Sequence, residues 1–219
     1  MRGIILAAGS GTRMGKLTES LPKALLKFGD KYLIEYSIDS LIKAGVKDIV
    51  INACHHGNKI INALGYGEKY GINIAYSKEE TALETGGGIF KALPLLGREP
   101  FIALSCDVVT DFDIASLPKE PKGLAHIILV DTPSYKETGD FNLEKGYINN
   151  NAPCNKTYAN IGVYRNEFFK GCKLEKFMLG TLLRANCQNK LVTGEYYKGL
   201  WENIGTKEQL KSFKKFVTI

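Results

Sequence analysis

Four short, largely apolar runs dominate the first half of the chain, at residues 3–8, 48–52, 72–76 and 101–105. Amphipathic stretches at 34–44, 58–64 and 88–95 separate them and read as helices. Strands with no polar face must be covered on both sides, and strands joined through helices pair in parallel. The expected architecture is therefore α/β, a doubly wound and mostly parallel sheet with helices on both faces. The second half is more mixed, with strands expected at 125–130, 158–164 and 191–197, and part of a hairpin at 146–149. Helices are expected at 175–186 and 206–213, and the Pro- and Lys-containing stretch 117–123 as a surface loop. A core of this size needs no split, so residues 1–219 are expected to form a single domain.

Charge and cysteine content exclude several partners. The 29 Lys+Arg and 23 Asp+Glu are spread along the chain, giving a net charge of +6 without a basic block suited to nucleic acid. Cys54, Cys106, Cys154, Cys172 and Cys187 are odd in number, scattered and free of CxxC spacing, which predicts reduced thiols rather than a disulfide framework or zinc site. His55, His56 and His126 have no metal-ligand spacing either. The apolar run at the N-terminus is too short for a signal peptide or a membrane span. A cytoplasmic protein with small-molecule ligands and no membrane partner is expected. No coiled seam or repeat domain is evident, which favours a monomer.

The first strand breaks into a glycine-rich loop, GIILAAGSGTRMGKLT, at residues 3–18. A dinucleotide fingerprint needs Gly-x-Gly-x-x-Gly, but the glycines fall at 9, 11 and 15, with Met14 at the third position. The acid about 20 residues on, Asp30, sits in a turn-forming Gly29-Asp30-Lys31 instead of ending a strand. A P-loop needs a second template glycine and a hydroxyl after the lysine; around Gly15-Lys16, positions 10 and 17 are Ser and Leu. A plain surface turn would account for the glycines but not for Arg13 and Lys23, two cations beside backbone amides able to face a polyphosphate. Two further blocks carry chemistry. Glu84-Thr85-Gly86-Gly87-Gly88 leads into a helix, and its backbone could approach a flat ring or sugar, or simply start the helix with Thr85 as cap. Asp107 follows a buried strand, where a carboxylate can hold a metal or merely cap a turn.

The run LAAGSGTRM…LT…LPKALL resembles the signature of the sugar-phosphate nucleotidyltransferases, or nucleotide-sugar pyrophosphorylases. Later blocks fit the same resemblance over nearly the whole chain: Gly139-Asp140-Phe141 and Trp201-Glu202-Asn203-Ile204-Gly205-Thr206. The stretch 83–97 is similar to the branch of uridylyltransferases that act on N-acetylmuramate α-1-phosphate in cell-wall sugar recycling. The resemblance implies a Rossmann-like, glycosyltransferase-A-like fold and transfer of a nucleotidyl group from UTP to a sugar 1-phosphate with Mg²⁺. It implies nucleotide contacts from Leu6, Ala8, Gly9, Gly11, Thr12, Arg13, Lys23 and Gly87. Arg13, Lys23 and Asp107 would be catalytic, and Glu84, Ser105, Asp140 and Asn160 would contact the sugar. Asp107 and Asn203 would hold the metal.

The chain departs from the family pattern at four of these blocks. Lys16 stands for proline, Ser105-Cys106 for Asn-Gly, Asn160 for glycine and Asn203 for the second metal-binding aspartate. Glu202 cannot substitute, because in a strand it faces the other way. Two alternatives remain at this point: a pyrophosphorylase for mannose or glucose 1-phosphate with GTP or dTTP, and a non-catalytic binder of nucleotide sugars.

Overall fold

The computed structural model describes residues 1–211. Strand β1 (Gly3–Leu6) enters a segment of 3-10 turns at Thr12–Thr18 and Lys23–Leu25. A small hairpin, β2 (Lys27–Phe28) and β3 (Lys31–Tyr32), leads into helix α1 (Leu33–Lys43). Then follow β4 (Asp48–Ala53), α2 (Gly57–Leu64), β5 (Asn73–Lys78), α3 (Glu84–Leu96) and β6 (Phe101–Ser105). The second half adds β7 (Val108–Thr110), β8 (Ala125–Asp131), β9 (Asn142–Glu144) and β10 (Tyr147–Asn149). It ends with β11 (Lys156–Tyr164), α4 (Leu179–Cys187), β12 (Val192–Tyr196) and β13 (Trp201–Asn203).

Nine of these strands form one sheet in the order β5-β4-β1-β6-β11-β8-β12-β10-β9. β5, β4, β1 and β6 are mutually parallel, as their apolar composition requires. β8 and β12 pair in parallel as well, while β11 and β10 run against their neighbours. The mostly parallel, doubly wound sheet expected from the sequence is the one found. Alternation along each strand feeds both faces. Ile5 packs with Ile34, Ile38 and Leu41 of α1, whereas Ile4 packs with Ile89, Ala92 and Leu96 of α3. A third, smaller core of Met14, Leu26, Phe28, Leu33, Val109, Ile204 and Leu210 underlies the glycine loop.

Several boundaries differ from expectation, and three of the differences have a local reason. β1 stops at Leu6, not residue 8, because the Ala7 amide donates to the side chain of Asn52 (2.7 Å). α3 begins at Glu84 rather than 88, because the Gly86 and Gly87 amides donate to the Phe177 carbonyl (3.0 and 3.1 Å). α4 begins at Leu179 rather than 175, since Phe177 is held against the start of α3 by its amide on the Leu83 carbonyl (3.2 Å). The expected C-terminal helix is present over residues 207–211, and its last two residues lie outside the described ones. Residues 117–123 form neither helix nor strand, as expected of a surface loop. Among the described residues no helix is long and apolar enough to cross a membrane.

Candidate active site

The strand order reverses between β1 and β6: β4 and β5 extend the sheet on one side of β1, and β6 lies on the other. Outside the carboxyl ends of two such strands lies the crevice where open α/β sheets bind ligands. Leu6 and Ser105 stand opposite one another at those ends, so the glycine loop after β1 and Asp107 after β6 must meet there. The loop keeps its shape through specific contacts. Gly11 takes a left-handed conformation (φ +66°), Met14 is fully buried beneath it, and Thr18 Oγ1 donates to the carbonyls of Gly11 (2.8 Å) and Gly15 (3.1 Å). A cavity of about 290 Å³ results. Leu6, Ala8, Gly9, Gly11, Thr12, Arg13, Lys23, Glu84, Ser105 and Asp107 line it, as do Asn52 and Thr85. A side chain at Gly9 would point into open space, so the backbone there is accessible to a ligand.

A second cavity of about 790 Å³ opens beside the first and shares Leu6, Arg13, Thr85 and Gly205 with it. Asp140, Asn160 and Asn203 line it. Asp140 accepts from Lys136 Nζ (2.9 and 2.7 Å) and from the Tyr158 amide (3.1 Å), which fixes its carboxylate at the cavity wall. Asn160 sits in a β11 irregularity between Tyr158 and Gly162 and has φ +58°. Asparagine tolerates that left-handed geometry better than most non-glycine residues, which accounts for its presence where a glycine would also fit. Arg184 of α4 lies over the Phe141 ring, 5.6 Å from its centroid, and also lines this cavity.

Where the cavities adjoin, Lys23 and Asp107 form an ion pair with side chains only 11% and 14% exposed. Ser105 Oγ donates to the other Asp107 oxygen (2.6 Å). β13 pairs antiparallel with β7, setting Asn203 opposite Val108, and the Ile204 amide donates to the Asp107 carbonyl (2.8 Å). The two expected metal ligands are thus neighbours across a two-strand ladder, Asp107 facing the first cavity and Asn203 the second. Asn203 Oδ1 is buried and has no hydrogen-bond partner among the described residues. Such an oxygen is costly to leave bare and suits a hard cation that takes one or two protein oxygens. Glu202 faces a separate depression with Tyr197 and Trp201, and burial raises its carboxyl above the usual range. Cys106 lies under the first cavity, its thiol pushed up to about 12 chiefly by burial, so it is a neutral filler rather than a nucleophile.

Three of the expected residues lie away from Asp140, Asn160 and Asn203. Gly87 does not line the first cavity. It packs on the backbone of residue 175, where an added Cβ would lie 2.3 Å from the Glu175 carbonyl oxygen. Glu84 and Ser105, expected beside the sugar, line the glycine-loop cavity. Sequence reasoning did not single out Asn52 or Arg184, or Glu79, which bonds to Asn52. Each stands near the end of an element, with no spacing pattern to mark it.

A family model described as nucleotidyl transferase matches residues 2–218. The chain is 40% identical to an N-acetylmuramate α-1-phosphate uridylyltransferase of Neisseria meningitidis, over 96% of both chains. It is 42% identical to a mannose-1-phosphate guanyltransferase of Yarrowia lipolytica, over 53% of this chain and 33% of that one. Among solved structures, a putative glucose-1-phosphate thymidylyltransferase of Bacillus anthracis superposes with a TM-score of 0.88 at 20% identity, covering 99% of this chain and 94% of the other. A UDP-glucose pyrophosphorylase bound to UDP-glucose superposes with a TM-score of 0.81 at 19% identity, covering 99% and 98%. At that identity, the two structures speak for the fold.

Proposed function

The chain belongs to the nucleotidyl transferase family, and on that premise we propose that it joins UTP and N-acetylmuramic acid α-1-phosphate into a UDP-sugar and pyrophosphate. The observation that carries this reading is the pair of adjoining cavities, one built on the glycine loop and one on Asp140 and Asn160, with Asp107 and Asn203 between them. Two anionic substrates must meet in a reaction of this class, and this chain provides two sites with a common boundary. The proposed biological setting is the recycling of a cell-wall sugar in the cytoplasm. The five free cysteines are compatible with a reducing compartment.

In the reaction, a phosphate oxygen of the sugar 1-phosphate attacks the α-phosphorus of the NTP. A new P–O bond forms, the bond to the β-phosphate bridging oxygen breaks, and pyrophosphate leaves with the electron pair. The attacking phosphate is already ionised at neutral pH, so no general base is needed. The work is in-line positioning and relief of charge. Arg13 reaches both cavities, and with the amides of Gly11 and Thr12 it would hold the departing pyrophosphate. Lys23 would exchange its contact with Asp107 for the α-phosphate, carrying its charge to where negative charge accumulates. Asp140 and Asn160 would orient the sugar hydroxyls, and Arg184 and Lys136 supply positive charge to an acceptor that carries both a phosphate and a lactyl carboxylate. Asp107 and Asn203 have the donor atoms to hold Mg²⁺, which when bound draws charge from the phosphates.

The reading is tested by measuring magnesium-dependent pyrophosphate release over a panel of NTPs and sugar 1-phosphates. UTP with the N-acetylmuramic acid derivative should be the preferred pair. A preference for mannose or glucose 1-phosphate with GTP or dTTP would reassign the substrates within the same reaction.

A further inference from the structure

A buried hydrogen-bond chain runs behind the first cavity. The Ala7 amide donates to Asn52 Oδ1 (2.7 Å), Asn52 Nδ2 donates to Glu79 Oε1 (2.7 Å), and the Leu83 amide donates to Glu79 Oε2 (2.9 Å). The Glu79 amide in turn donates to the Ala53 carbonyl (2.8 Å), locking the carboxylate to the end of β4. Asn52 is 2% exposed and Glu79 6%, so neither is a surface residue that water could satisfy. Gly88 of α3 packs directly on the pair, where a Cβ would meet Asn52 Nδ2 at 2.5 Å and Glu79 Oε1 at 2.8 Å. The two ends of the chain coincide with two walls of the cavity. Ala7 and Ala8 belong to the loop after β1, while Ala82, Glu84 and Thr85 flank the Leu83 amide at the entry of α3.

The donors and acceptors are polarised. Both ends are amide N–H groups, so the chain closes only if one of its two side chains accepts at two atoms, and a carboxylate does this. A buried carboxylate with two hydrogen bonds is a costly device for joining strands, which backbone ladders already do. We propose that Asn52 and Glu79 are positioning residues for the nucleotide, fixing the residue 6–9 backbone and the entry of α3 at the separation a nucleoside triphosphate requires. The inference rests on the nucleotide assignment of the first cavity.

The polarity supplies the test. In E79Q the new amide nitrogen must face either the Leu83 N–H or Asn52 Nδ2. Flipping Asn52 only moves the clash to the Ala7 N–H. The double variant N52D/E79Q restores every bond. Its carboxylate at position 52 accepts from the Ala7 amide and from the side-chain nitrogen at position 79, whose oxygen partner accepts from Leu83. UTP binding by calorimetry, KM for each substrate and Tm are measured on the full chain. E79Q should weaken UTP binding about tenfold, as expected for an unsatisfied buried donor. The acceptor KM should stay within twofold, and N52D/E79Q should bind UTP far better than E79Q. UTP binding by E79Q within twofold of wild type overturns the inference. So does a double variant no better than E79Q, or a fall in Tm with both KM values rising equally. A wild-type protein that binds no nucleoside triphosphate overturns the cavity assignment as well.

Discussion

Lys23 and Asp107 neutralise one another in a largely buried setting, and each is also positioned to meet a charged ligand. In the proposed reaction the lysine leaves the carboxylate for a phosphate, so its removal should affect turnover as well as stability. K23A is expected to lower kcat by about 10²–10³, by analogy with other preorganised charge-stabilising groups, and also to lower Tm in thermal denaturation, because it leaves the largely buried Asp107 carboxylate unpaired. Asn203 presents a neutral oxygen where a second carboxylate would bind a divalent cation more tightly. N203D should lower the Mg²⁺ concentration giving half-maximal rate; no change in either Mg²⁺ dependence or rate would remove Asn203 from the metal site. At this scale Arg13, Lys23 and Asp107 were legible because motif spacing and strand ends mark them. Asn52 and Glu79 were not, since their meaning depends on three segments that only the folded sheet brings together.

The start of α3 illustrates what element-level reading missed. Three consecutive glycines suggested a backbone open to a ligand, but each faces protein. Gly86 accommodates the Phe177 ring, Gly87 the residue 175 backbone and Gly88 the Asn52–Glu79 pair. Glycine within a helix costs about 1 kcal/mol relative to alanine, a penalty tolerated here because no side chain fits. G87A is therefore expected to destabilise the fold by about 1–3 kcal/mol in denaturant titration, since the opposing carbonyl is backbone and cannot swing aside. Were Gly87 instead a nucleotide contact, G87A would weaken UTP binding and leave stability intact. The shifted starts of α3 and α4 have the same origin: residues 175–178 are spent on packing against α3, a tertiary demand that overrides helical periodicity. Strand β8, for its part, carries a pH-sensitive group. His126 bonds Thr193 through Nδ1 (3.0 Å), and its Nε2 is buried 3.9 Å from a Glu195 oxygen. Burial lowers its pKa below the ordinary value, against the opposing pull of Glu195. The folded protein thus binds fewer protons here than the unfolded chain, and stability should fall as pH drops through about 6.5 toward the folded-state pKa. Thermal denaturation of H126Q should show a smaller loss of Tm between about pH 7 and pH 5 than the parent protein.

At the scale of the whole molecule, the first half builds a parallel sheet with a switch point, and the second half adds the strands that carry Asp140, Asn160 and Asn203. The parallel half was legible because both-faced burial leaves uninterrupted apolar runs. The β9–β10 hairpin was legible too, but the antiparallel pairings of β11 with β6 and β8, of β10 with β12, and the β7–β13 ladder that joins Asp107 to Asn203 were not. They involve short or irregular strands whose partners lie far away in sequence. Those pairings nevertheless bring the two cavities together at one boundary, and the central claim concerns what happens there. Pyrophosphate release is measured with UTP and N-acetylmuramic acid α-1-phosphate, with Mg²⁺ and with excess chelator. Release in the first condition, and its loss with chelator, is the predicted result. No pyrophosphate from this pair or any other NTP and sugar 1-phosphate would contradict it.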